Sequence, residues 1–137
     1  MGNKGFTLME VMMAVVIVGI LAAIAIPSYT GYITRTRRAD AITALQSVAL
    51  DEEKVRAENG WYTNNLAGQG YPDPSVDNYL VTINLGAGNL SYIATATGRN
   101  AQAGETIIFA IHSDGRVGKW ESGAFVEDNN LWSSLRP

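Results

Sequence analysis

Glu10 is the one ionisable side chain inside an almost unbroken apolar run from Phe6 to Ile26, FTLMEVMMAVVIVGILAAIAI. A carboxylate at the centre of a membrane-spanning helix costs about 2.5–3.5 kcal/mol and by default marks function, so it calls for a specific partner. The spacing points to one. If the chain were cut after Gly5, Phe6 would gain a free α-amine at i,i+4 from Glu10, one helical turn away. No other group of residues carries comparable chemistry. His112 is the lone histidine and stands beside Ser113 and Asp114 at the end of a strand. Adjacency in sequence is no argument for a triad, which is recognised by spatial roles, so His112 reads as a solvated turn residue. The chain has no cysteine, which excludes disulfides, thiolate metal sites and cysteine nucleophiles. Asp51, Glu52 and Glu53 occupy consecutive positions of an expected helix, point in different directions, and read as a solvated face. Gly86-Ala87-Gly88 lacks the spacing and the following helix of a dinucleotide site, and Asn89-Leu90-Ser91 matches a glycosylation sequon too short to carry weight. These observations predict no catalytic residue, no metal site, no cofactor and no enzymatic activity.

The elements that must hold Glu10 follow from periodicity. The 137 residues suit one domain plus a membrane segment. The apolar run predicts a helix about 30 Å long, the thickness of a hydrocarbon core. Helical spacing then continues in amphipathic form: Ala41, Leu45, Val48 and Val55 make a stripe widened by Ile42 and Ala49, with Arg38, Asp40, Asp51, Glu52, Lys54 and Arg56 around it. Asn59-Gly60 supplies the stop. Pro27 cannot donate to the carbonyl of Ala23 and is expected to kink or loosen the helix, with Gly19 a second weak point. Residues 60–78 are rich in Gly, Asn, Asp and Pro and read as a loop, whose aromatics Trp61 and Tyr62 are expected to cover the top of the core. Beyond it the period changes to two. Strands are expected at 79–85, at 90–97, around Ile107, Phe109 and Ile111, and around Val117 and Trp120, the last two joined by Ser113-Asp114-Gly115. The expected fold class is α+β: a long N-terminal helix, apolar in its membrane half and amphipathic in its second half, packed on a four-stranded antiparallel sheet. The segment from Asp128 onward has no reading of its own.

The junction MGNKG followed by FTLME resembles the processing site of the type IV pilin family. The resemblance is carried by the short leader with Lys4 and Gly5, then Phe6-Thr7-Leu8, the acidic Glu10, the apolar stretch, Gly19, and Pro27 followed by Ser28-Tyr29. It is specific over residues 1–38. Further on, Gly60-Trp61-Tyr62 resembles the segment after the long helix of many pilins, and Tyr92 to Thr97 resembles a strand of minor pilins. The resemblance implies three parts: a prepilin leader (1–5), a transmembrane and assembly half of the helix (6–27), and a periplasmic or extracellular pilin head (28–137). It implies cleavage between Gly5 and Phe6 by a prepilin peptidase that also N-methylates Phe6, and assembly through Glu10, Gly19 and Pro27. The implied partners are other pilin subunits, the peptidase, an inner-membrane assembly platform, and the membrane before assembly. The implied location is the inner membrane as a single-pass protein, then the pilus at the cell surface. The sequence does not choose among adhesion, motility, DNA uptake and secretion, and it offers too little basic, aromatic surface to argue DNA uptake.

Two observations pull against this resemblance. Many pilins close a C-terminal loop with a disulfide, which this chain cannot form. Counted alone, Lys4 and the initiator amine against Arg35, Arg37 and Arg38 favour the reverse membrane orientation; the processing motif, read on the cytoplasmic face in the family, outweighs that count. The formal charge of −3, or −4 once Lys4 leaves with the leader, gives no indication of nucleic-acid binding. The arginine cluster could instead meet lipid headgroups or acidic residues of neighbouring subunits. The alternatives are a type II secretion pseudopilin, a single-span membrane-anchored binding module, and an uncleaved signal anchor.

Overall fold

The computed structural model describes residues 5–135; residues 1–4 of the expected leader, and 136–137, lie outside them. The first helix, α1 (Leu8–Asn59), opens at Thr7, whose Oγ1 accepts the Glu10 N–H at 3.3 Å. A threonine placed there satisfies one of the amide donors that every helix start leaves unpaired. α1 passes through Gly19 and Pro27 as one element, the Thr30 hydroxyl donating to the Pro27 carbonyl at 2.9 Å. It ends where Gly60 takes φ +86° and returns its N–H to the Arg56 carbonyl at 2.8 Å, the left-handed stop that glycine supplies.

The chain forms two compact units, Met1–Thr34 and Arg35–Pro137. In the first, α1 contains a segment long and apolar enough to cross a membrane, and its side chains are exposed nearly all round. In the second, α1 buries Ala41, Ile42, Ala44, Leu45, Val48 and Val55. This stripe joins one core with Tyr79, Val81 and Ile83, Tyr92, Ala94 and Ala96, and Phe109 and Ile111. The sheet is a five-stranded antiparallel meander in chain order: β1 (Tyr79–Leu85), β2 (Tyr92–Gly98), β3 (Ile108–His112), β4 (Val117–Glu121) and β5 (Ala124–Glu127). The expectation of four strands is therefore corrected to five. The extra strand hangs on a two-residue turn, Ser122-Gly123, with φ of +53° and +82°. That primed geometry matches the twist of a hairpin. β5 escaped sequence reading because Ser-Gly is a weak turn signal and only Phe125 of the strand is half-buried.

The tail, which periodicity left unassigned, forms a short helix α2 (Asn129–Ser133) started by Asp128, whose Oδ1 accepts the Leu131 N–H at 2.9 Å. Trp132 is buried and donates its Nε1–H to the Gly118 carbonyl at 2.9 Å. A Cβ on Gly118 would lie 2.0 Å from the Val126 carbonyl oxygen, so only glycine lets β5 approach β4 there. The Arg35 guanidinium closes the tail by donating to the Ser134 carbonyl. Packing and hydrogen bonds thus hold the end of this cysteine-free chain. Removing a buried tryptophan typically costs about 3–5 kcal/mol. A fragment starting near Ser28 is expected to melt cooperatively, indifferent to reductant, with Trp132→Ala lowering its Tm by roughly 10–20 °C in calorimetry.

Candidate functional site

Phe6 and Glu10 lie on one face of the N-terminal segment, and the surface around them is completed by Val11, Ala14, Val15 and Val18. Apart from the carboxylate this face is apolar, and it is open: Phe6 is 82% exposed and Val15 65%. A helix bare on every side must be covered by lipid or by other helices. Gly19 fits that requirement. A Cβ built on it meets nothing within 4 Å, so its smallness serves no packing inside the chain, while small residues let neighbouring helices approach closely.

In the Arg35–Pro137 unit, two members of the arginine cluster are engaged at home. Arg35 holds the tail, and Arg38 donates through Nε to Glu105 Oε2 at 2.6 Å. His112 closes the β3–β4 turn: its Nδ1 accepts the Asp114 N–H at 3.2 Å, and Gly115 follows at φ +87°. Among the described residues no cluster has the composition of a metal site.

The acidic run needs correction. Asp51 pairs with Lys54 at 2.7 Å at the surface, but Glu52 is fully buried. Its Oε2 accepts the Thr63 N–H at 2.9 Å, while Oε1 has no hydrogen-bond partner. Glu53 accepts from the Tyr62 hydroxyl at 2.7 Å, and Arg56 in turn donates to that hydroxyl at 2.6 Å. The two carboxylates tie the chain to α1 immediately after its stop. Tyr62 packs edge-on against Tyr92 with ring centres 4.8 Å apart. Of the two aromatics expected to cover the core, Tyr62 is buried and Trp61 is 52% exposed. Glu52 falls at i+4 from Val48, in register with the apolar stripe, and that register is the signal the sequence carries for its burial.

The first 26 residues match the model of the prokaryotic N-terminal methylation motif. Residues 27–106 match the family model described as type IV minor pilin ComP, DNA uptake sequence receptor. The chain belongs to the type IV pilin family. Relatives agree. This pilin is 36% identical over 119 residues to the type IV major fimbrial protein FimA of Dichelobacter nodosus, covering 74% of each chain. It is 29% identical over 138 residues to the type IV major pilin protein PilE of Neisseria gonorrhoeae, covering 93% of this chain and 78% of that one. A solved type IV pilin from Shewanella oneidensis is similar at 19% identity and a TM-score of 0.48, over 69% of this chain and 98% of that one. These are structural, non-enzymatic proteins, and the long apolar N-terminal helix of this pilin fits the family's transmembrane helix.

Burial raises the Glu52 carboxyl above its ordinary value of 4.5; Glu53 and Asp51 push the same way, against the Thr63 hydrogen bond. A carboxyl raised in the folded state keeps a proton that the unfolded chain releases. Its ionisation therefore weakens folding as pH climbs from about 4.5, and below that value the penalty is absent. Glu52→Gln keeps an acceptor for Thr63 without the charge. Melting temperatures taken between pH 4 and 7 should show wild type losing ground steadily to Glu52→Gln as pH rises.

Proposed function

We propose that this pilin is a structural subunit of a type IV pilus, held in the inner membrane by the apolar half of α1 until it joins the fibre. The observation that carries the reading is the placement of Phe6, just before α1, and Glu10, in its first turn, on one open apolar surface. A prepilin peptidase cuts between Gly5 and Phe6 and methylates Phe6. The new amine then supplies a cation for Glu10. Within a monomer the pair lies four residues apart, Phe6 before the start of α1 and Glu10 in its first turn. Within a fibre Glu10 neutralises the amine of an adjacent subunit, setting axial register as the helices leave the membrane through the assembly platform. Lateral packing of these helices drives assembly, and Gly19 and Pro27 ease their approach.

Purified mature protein should begin at Phe6 and carry one added methyl by mass spectrometry; recovery of full-length chain alone from cells with an active peptidase would refute the processing step. Glu10→Leu removes a polar penalty of about 2–3 kcal/mol from insertion but leaves a neighbour's amine unpaired in an apolar bundle. The variant should reach normal membrane levels and be depleted at least tenfold from sheared filaments. Wild-type incorporation would remove Glu10 as the assembly determinant and favour a membrane-anchored module.

The family-model match over residues 27–106 supports testing a second reading, that the head takes duplex DNA. Its cations are largely committed: Arg38 to Glu105, Arg116 to Asp114 at 2.7 Å, Lys119 to Glu121 at 2.8 Å, and Arg99 to the Val76 carbonyl. Exposed pairs are worth only about 0–1 kcal/mol, so phosphates can displace them. Any DNA binding should be weak and steeply salt-dependent, and Arg116→Ala with Lys119→Ala should flatten the salt slope in a mobility-shift titration.

A further inference from the structure

β1 is one edge of the sheet, and its outer side is only partly covered. Tyr79 exchanges both main-chain bonds with Val76, at 3.0 and 3.1 Å. Main-chain groups alternate sides along a strand, so Val81 and Ile83 also face outward, away from β2. The Val81 N–H is taken by Ser75 Oγ at 3.2 Å. Among the described residues nothing pairs with the Val81 carbonyl or with the N–H and carbonyl of Ile83. Here a groove of about 320 Å³ lies beside the strand, lined by residues 64–67 and by Asp73 and Pro74.

Folded proteins usually cover or blunt a free edge, because its unpaired groups form a template for another strand. This edge is neither blunted nor filled; it is walled. At about 3.3 Å per residue, the free groups span two or three residues of an added strand. Asp73 is the one ionised side chain lining the groove. Its carboxyl lies below its ordinary value, chiefly through the Ser75 N–H on Oδ1 at 2.8 Å, and so stays charged. Arg99, whose charge also reaches Asp73, is held on the Val76 carbonyl. A groove lined by amides and one carboxylate favours a cationic occupant. The other free edge of this chain, β5, ends in Glu127 and would bring like charge, which argues against edge-to-edge pairing of two copies.

We propose that the groove beside β1 binds an extended basic peptide as an added strand, with Val81 and Ile83 fixing its main chain and Asp73 receiving a lysine or arginine. This is strand addition, in which main-chain bonds give affinity and the walls select side chains. It stands apart from assembly, since neither Phe6 nor Glu10 takes part.

The test uses detergent-solubilised full-length chain and a fluorescein-labelled Thr-Val-Lys-Val-Thr peptide, followed by fluorescence anisotropy. Saturable binding is expected. N-methylation of alternate peptide amides should weaken it at least tenfold. Exchange of the peptide lysine for glutamate, or Asp73→Asn, which keeps the acceptor for Ser75, should weaken it at least threefold. Ala67→Trp, built on an exposed loop residue, should fill the groove and abolish binding; if that variant does not fold, Asn64→Arg should repel the peptide instead. Hydrogen exchange at the Ile83 amide should slow with peptide bound. Failure to saturate, indifference to N-methylation, or undiminished binding by both groove variants overturns the proposal. Self-association that excludes the peptide would give the groove to a second copy and also overturn it.

Discussion

Everything in this chain depends on a change of character along one helix. Up to Pro27, α1 is apolar on all sides and must be surrounded; from Ala41 it is apolar on one side only and must be leaned upon. The hydrophobic effect acts on the two stretches through different partners, since one is content in hydrocarbon and the other is stable only against a protein layer. A sheet with one greasy face supplies that layer. Small residues on both sides of the core, Ala41 and Ala44 on α1 and Ala94 and Ala96 on β2, keep bulk between helix and sheet low. The aromatics Tyr62, Tyr79, Tyr92 and Phe109 then fill the remaining volume as edge-to-face pairs.

Where periodicity was strong, the sequence was readable. The end of α1 at Asn59-Gly60, the span of β1 and the core stripe all fall where spacing puts them. β2 and β3 each begin one or two residues later than expected. What escaped reading depends on contacts distant in sequence. β5 is a strand because β4 is beside it, and α2 exists because Trp132 finds the Gly118 carbonyl. No local pattern encodes either partner.

Charge misled in a consistent direction. Counting places Glu52 and Arg38 on a solvated face, yet Glu52 accepts from Thr63 just past the end of α1 and Arg38 reaches Glu105, sixty-seven residues away. A charged side chain on the flank of an apolar stripe is close enough to the core to cap whatever crosses it. Glu10 is also a charge in apolar company, and it lies within the methylation-motif match over residues 1–26. Register against the stripe distinguishes such cases; residue type alone does not.

The meander has a kinetic consequence. Every strand pairs with its neighbour in the chain, β1 with β2 through to β4 with β5. Each ladder therefore closes a short loop, and short loops close early. The spans that close latest tie α1 to the far part of the chain, Arg38 to Glu105 and Arg35 to Ser134, sixty-seven and ninety-nine residues apart. Folding of the head is thus ordered like a zip fastened by a final clasp. The sheet can complete itself hairpin by hairpin, and the clasp shuts only when Ser134 reaches Arg35.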